Sequence, residues 1–185
     1  GVSAAGRITP YDMVIWSTAQ AQALAPIARF IQQQGAVPGI QLAHAGRKAA
    51  TDVPWRGGTA LAPAAGAWET LAPSALAFSP GHAAPEIDRL DLAQSSHAAP
   101  RAMSIQDIDQ VVGQFVDATQ RALTAGFEVV EIHMAHGYLL HEFLSPLSNR
   151  RDDDYGGSLE HRMRLPLRVA SAVRDANAME FVAKL

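Results

Sequence analysis

Two histidines three residues apart, His133 and His136, stand where a β-branched run gives way to a turn, His133-Met134-Ala135-His136-Gly137-Tyr138. There the chain leaves extended geometry, and a turn can aim both imidazoles into one pocket. Each neutral imidazole donates one hydrogen bond, so the pair can hold and polarise a single carbonyl or nitro oxygen. One histidine can instead merely satisfy backbone carbonyls beneath the loop. Tyr138, His141 and Glu142 nearby favour the chemical reading.

A rival chemistry makes Glu131, His133, His136 and His141 metal ligands, since imidazole and carboxylate suit zinc or iron. The spacing, however, is not His-Glu-x-x-His. The acidic run Asp152-Asp153-Asp154 lies beside Tyr155-Gly156-Gly157 and reads as a solvated or helix-capping turn. Gln41 sits inside an apolar run, where an amide must find partners or cost stability. A core glutamine bonded to backbone explains it, and so does a paired donor and acceptor facing the edge of a pyrimidine-like ring.

The elements that must position these groups can be read from periodicity. Ser17 with Gln20 forms a capping box, and Ala23, Ile27, Phe30 and Ile31 follow at helical spacing until Gly35, with a kink expected at Pro26. Val37 to Leu42 is a short apolar run that predicts a strand ending near His44-Ala45-Gly46-Arg47. Ser104 with Asp107 opens a second helix, striped by Ile108, Val111, Val112, Phe115 and Ala122 and closed by Gly126. Phe127 to Ile132 predicts the strand that delivers His133. Ser158 begins a third helix through about Arg174, interrupted at Pro166, and Phe181-Val182 starts one more strand.

Residues 48–103 are rich in Ala, Pro, Gly and Ser, with turn signals such as Trp55-Arg56-Gly57-Gly58 and little periodicity. So long an irregular stretch predicts a functional excursion over an active site. Strands alternating with helices imply a parallel sheet, and polar residues at strand C-termini suit a doubly wound sheet or a (β/α)8 barrel. The lack of Gly-x-Gly-x-x-Gly favours the barrel. A whole barrel takes roughly 250 residues and eight units, whereas about three strand–helix units are visible, so the chain reads as one partial barrel domain over residues 1–185.

Composition narrows the function further. With 185 residues and 48% hydrophobic content the chain can bury one core. A net charge of -3 with no long block of either sign argues against a nucleic-acid partner. There are no cysteines, which removes disulfides and thiolate metal sites, so redox chemistry requires a cofactor. No run approaches the roughly 20 apolar residues of a membrane span, and the start lacks a signal pattern. A soluble, cytoplasmic protein is expected.

Gln41-Leu42-Ala43-His44-Ala45-Gly46-Arg47-Lys48-Ala49, with Glu131-Ile132-His133-Met134-Ala135-His136-Gly137-Tyr138-Leu139-Leu140-His141-Glu142-Phe143-Leu144-Ser145-Pro146, resembles the old yellow enzyme family, in its bacterial branch of NADPH dehydrogenases and ene-reductases. Ser148 to Ser158, Arg162, Gly6-Arg7-Ile8 and Trp16-Ser17 extend the match over nearly the whole chain.

The resemblance implies a (β/α)8 barrel with FMN across the C-terminal mouth. It gives Gln41 the pyrimidine edge of the flavin, His133 and His136 the substrate oxygen, and Tyr138 a place in the substrate pocket. Tyr138 there donates a proton to the α-carbon, a role solvent can also fill. The implied reaction passes hydride from NADPH, or NADH, to the flavin, and then to the β-carbon of an enone or nitroalkene.

Departures from the family are also informative. Its amino-terminal flavin-binding strand and its later phosphate-binding strands fall outside this sequence, which predicts a homo-oligomer or complementing barrel segments. Where the family reads Phe-Val-Arg, with arginine near flavin N1, this chain reads Phe181-Val182-Ala183-Lys184. Lys184 reaches that role only by a one-residue slip, which turns a side chain to the other face. His161 replaces an asparagine and is expected to matter for capping. The competing classes are a non-catalytic remnant of such a barrel and a metal-dependent hydrolase on the same fold.

Overall fold

The computed structural model describes residues 1–79 and 97–176 in full, and the backbone of 181–184. Its order is α1 (Thr18–Gln33), β1 (Gly39–Leu42), β2 (Leu71–Ala72), β3 (Arg101–Ala102), α2 (Ile105–Thr124), β4 (Val129–His133), α3 (Leu139–Leu144), α4 (Leu159–Asp175) and β5 (Phe181–Lys184). Strands β1, β4 and β5 form a parallel sheet in that order. Three same-way strands bring their C-terminal ends to one rim.

Both helix starts predicted from capping boxes are present. Ser17 accepts from the Gln20 N–H while the Gln20 side chain accepts from Ser17, and Ser104 and Asp107 do the same for α2. Gly35 and Gly126 close the helices at φ +77 and +95, a left-handed geometry that costs glycine little. The α2 stripe of Ile108, Val111, Phe115, Ala118 and Ala122 is buried. It packs with Leu24 and Ala28 of α1 and with Leu165, Val169 and Val173 of α4. Leu42, Val130 and Ile132 complete this core, so one face of the sheet is roofed by helices. On the alternate face Gly39 and Gln41 are exposed and Glu131 is half-buried.

The structure adds to or departs from the sequence reading at several places. The excursion 48–103, within its described residues, holds two 3-10 turns, Pro54–Arg56 and Pro63–Ala65, and a bridge from Thr51 to Ala60. Its β2 and β3 also pair in parallel, Leu71 with Arg101 and Ala72 with Ala102; two-residue strands leave no periodic signal. Residues 80–96 of that excursion lie outside the described residues. Helix α3 was not expected, because six residues show too little of a 3.6-residue period. Pro166 does not interrupt α4, which runs unbroken from Leu159 to Asp175. The acidic run is solvated at Asp152 and Asp154, as expected, but is not the cap: Asp153 pairs with Arg151 and Asp154 with Arg164, while Ser158 caps α4 by accepting from the His161 N–H. Among the described residues no helix is long and apolar enough to cross a membrane.

Candidate active site

Strand β4 ends at His133 and the chain turns at once. His136 takes φ +56 and Gly137 φ +74, and Tyr138 then starts α3. For a residue with a side chain the left-handed region costs on the order of 1 kcal/mol, so the surroundings must hold His136 there. The turn brings three rings together. His133 and His136 have centroids 5.1 Å apart at 78°, and Tyr138 lies 4.9 Å from His133. Three of the sequence-predicted site residues therefore meet at the sheet rim. His133 is buried, Tyr138 half-buried and His136 exposed.

Hydrogen bonding assigns the tautomer. His133 Nδ1 accepts from the Ala135 N–H at 3.2 Å, so neutral His133 carries its proton on Nε2 and acts as a donor. His141 Nδ1 accepts from the Gly137 N–H at 2.7 Å, which fixes the turn rather than adding a third ligand. Burial, followed by the charge of Asp12, pushes the Tyr138 phenol above its ordinary value and keeps it protonated. The donor set is thus two imidazoles and one phenol.

Gln41 and Glu131 are register partners across β1 and β4, and the Gln41 amide donates to Glu131 Oε1 at 2.9 Å. This corrects the bland alternative of a core glutamine bonded to backbone: the side chain is exposed, on the sheet face the helices leave open. Among the described residues no three of His, Asp and Glu converge on a common point. In β5 the register sets Val182 beside Glu131 and Lys184 beside His133, while Ala183 falls in the row of Ile132.

Beneath the histidines lies a set of buried polar groups that spacing alone did not assign. Glu142, on α3, is 1% exposed; its Oε1 accepts from the Arg47 N–H at 2.9 Å and its Oε2 has no partner. Burial pushes this carboxyl up to about 8, against the opposing pull of Arg47 and Lys48. His44, 2% exposed, accepts at Nδ1 from the Gly46 N–H, and burial and then the amino terminus lower it to about 4. The Leu139 N–H donates to the His44 carbonyl at 3.0 Å, and Lys48 Nζ donates to the His136 carbonyl at 2.8 Å. The turn after β1 therefore grips the turn after β4 through three bonds. Glu142 was legible as a neighbour of the histidine pair, whereas His44 and Lys48 were marked only by their place inside the resembling segment.

Farther along, Asn149 Nδ2 donates to the carbonyls of Phe143 and Tyr155 at 2.8 and 2.7 Å. At Gly156 a Cβ would meet the Arg151 carbonyl at 2.1 Å. This part of the resembling sequence shapes the connection to α4. An apolar cleft of about 350 Å³ between α1 and β1, lined by Leu24, Ile27, Ile31, Ile40 and Phe127, touches the site only through Gln41.

Comparison with known proteins gives the family and the fold. The family model of the NADH:flavin oxidoreductase / NADH oxidase family matches residues 1–184. An NADH:flavin oxidoreductase of Gibberella zeae is 42% identical over 172 residues, covering 91% of this chain and 38% of the relative. An NADPH dehydrogenase of Bacillus subtilis is 40% identical over 174 residues, with 94% and 43% covered. Among solved structures, an old yellow enzyme homologue of Zymomonas mobilis superposes with a TM-score of 0.76 at 32% identity, covering 95% of this chain and 44% of that one. Morphinone reductase in complex with tetrahydroNAD gives 0.75 at 29%, with 95% and 46% covered. The chain spans about two-fifths of the length of the curated relatives it matches. Its parallel strands and their helices are part of a (β/α)8 barrel, and the chain belongs to the NADH:flavin oxidoreductase / NADH oxidase family.

Proposed function

We propose that this chain provides the substrate-holding part of an FMN-dependent oxidoreductase that uses NADPH or NADH to reduce activated C=C bonds of α,β-unsaturated carbonyl or nitro compounds. The observation that carries this reading is the ring cluster of His133, His136 and Tyr138 at the rim, one pleat beyond the Gln41–Glu131 pair on the open sheet face.

The residues present fit a flavin. With one N–H of Gln41 given to Glu131, a second N–H and Oε1 remain, a donor and an acceptor matched to an imide edge. Gln41 would hold that edge, and Lys184, in register with His133, is the cation on the neighbouring strand. Bound FMN supplies the hydride chemistry.

His133 and His136 bind the substrate oxygen through imidazole N–H groups. Net reduction adds a hydride to the β-carbon and a proton to the α-carbon, and negative charge gathers on that oxygen in between. Donors aimed at the growing charge stabilise the transition state more than the ground state, which is the condition for catalysis. Tyr138, held protonated, supplies the proton.

The exposure of Gln41 and Gly39 supports a site completed by further barrel segments, from the same polypeptide or from a second copy. The test is the visible spectrum of purified protein with added FMN. A bound-flavin band that NADPH bleaches without oxygen, and that an enone restores, supports the reading. Protein that stays colourless at saturating FMN, alone and with the remaining barrel segments supplied, defeats it.

A further inference from the structure

We propose that Lys48 is a positioning residue that ties the excursion to the histidine pair: its ammonium, seated on Phe78, holds the His136 carbonyl and keeps His136 in the left-handed turn that sets its imidazole beside His133. This rests on the substrate-holding role of His133 and His136 proposed above.

Four observations meet at this ammonium. Lys48 Nζ donates to the His136 carbonyl at 2.8 Å across 88 residues of sequence. The same Nζ lies 4.5 Å from the centroid of Phe78, within cation–π range, and Phe78 belongs to the excursion. Gly137 leaves room for it: a Cβ there would stand 2.8 Å from Nζ and 3.0 Å from Cε. The residue whose carbonyl is held, His136, is one of two non-glycine residues at positive φ among those described.

A left-handed conformation at a residue with a side chain persists only where its neighbours fix it. The Tyr138 N–H bond to the Ala135 carbonyl closes the turn around His136. The His136 carbonyl and the Gly137 N–H belong to one peptide plane, so Lys48 on its oxygen and His141 Nδ1 on its N–H fix that plane from opposite sides, and a cation on the oxygen resists its rotation. Rotating that plane would carry the imidazole away from His133. Because Lys48 follows directly from the turn after β1 and Phe78 lies against it, one ammonium joins Phe78 to the substrate donors.

The test uses the full chain labelled with 13C and 15N, comparing wild type with Lys48→Met, Lys48→Arg and Phe78→Leu. Lys48→Met is expected to shift the His136 Cα and Cβ resonances away from left-handed values and to weaken the His133–His136 ring cross-peaks. Core methyl signals of Val111, Val130 and Ile132 stay in place. Lys48→Arg, which retains a donor, restores most of the wild-type pattern, and Phe78→Leu moves it part of the way. In flavin-loaded protein, phenol binding by Lys48→Met falls roughly tenfold, as expected for a lost charged hydrogen bond, while flavin affinity is unchanged. Unchanged His136 resonances in both Lys48→Met and Phe78→Leu overturn the proposal, and Phe78→Leu decides alone if Lys48→Met fails to fold. If wild type binds no phenol at all, the functional reading fails, while the resonances still decide the role of Lys48.

Discussion

The Gln41 amide donates to Glu131 Oε1 at 2.9 Å between register partners of neighbouring parallel strands. Side chains that face each other across a ladder restrict one another, and this contact sets which amide atoms of Gln41 point away from the sheet. Glu131 thereby becomes the orienting group for the proposed flavin contact. Glu131→Ala should weaken FMN binding severalfold and Gln41→Leu at least as much, whereas Glu131→Gln should recover part of the loss. Equilibrium dialysis with fluorescence of free FMN measures all three.

The two imidazoles should be separable from flavin binding. His133→Ala and His136→Ala should each lower affinity for phenolic or enone ligands by roughly 10-fold or more, and turnover by about 10²-fold, with flavin retained. Difference spectra of the flavin band on phenol titration report the first, and anaerobic stopped flow the second. Parallel loss of flavin from both variants would count against their placement over the substrate.

Proton linkage at the buried pair gives a stability profile with a defined sign. The Glu142 carboxyl is raised from 4.5 to about 8 on folding, so its stabilising share is full below pH 4.5 and is lost as pH climbs to 8. His44 is lowered from 6.5 to about 4, so its share is full above pH 6.5 and is lost as pH falls toward 4. The two oppose each other between 4.5 and 6.5, leaving a net decline from 6.5 to 8 of up to about 1.4 kcal/mol per unit. Glu142→Gln should abolish that decline in urea melts and expose the acid-side loss from His44. A decline of equal slope in the variant assigns it to other groups.

Gly46 lies at φ +62, and a Cβ there would stand 2.3 Å from Glu142 Oε1. Gly46→Ala must either displace the carboxylate or rotate the turn, and should lower stability by about 2–4 kcal/mol. Thermal unfolding checks it. Gly113→Ala, where nothing stands within 4 Å of the added Cβ, is the control and should be neutral or slightly stabilising.

Local chemistry made much of this fold legible. Ser17, Ser104 and Ser158 announce helix starts because a hydroxyl takes up an orphan N–H within three residues, and that information is contained in four consecutive positions. The stripe of α2 and the run into His133 were equally local. Exposure of Gln41 was not, because an alternating strand does not say which face the helices will cover. Nor was the bond from Lys48 to His136, which joins residues that only the parallel pairing of β1 and β4 brings together. Of the site, the histidine pair and Tyr138 were readable from spacing and resemblance, whereas the buried support from His44, Glu142 and Lys48 depends on three-dimensional contact.

The shared direction of β1, β4 and β5 carries an evolutionary implication. Parallel neighbours cannot be linked by a tight hairpin, so the connections after β1 and after β4 each set out from the end where His44 and His133 stand. Insertions and deletions in those connections change what overhangs the ring cluster and leave the buried layer of Phe115, Ile132 and Val169 untouched. Loop exchange beyond the gripped turns can therefore alter what covers the histidine cluster without repacking the scaffold.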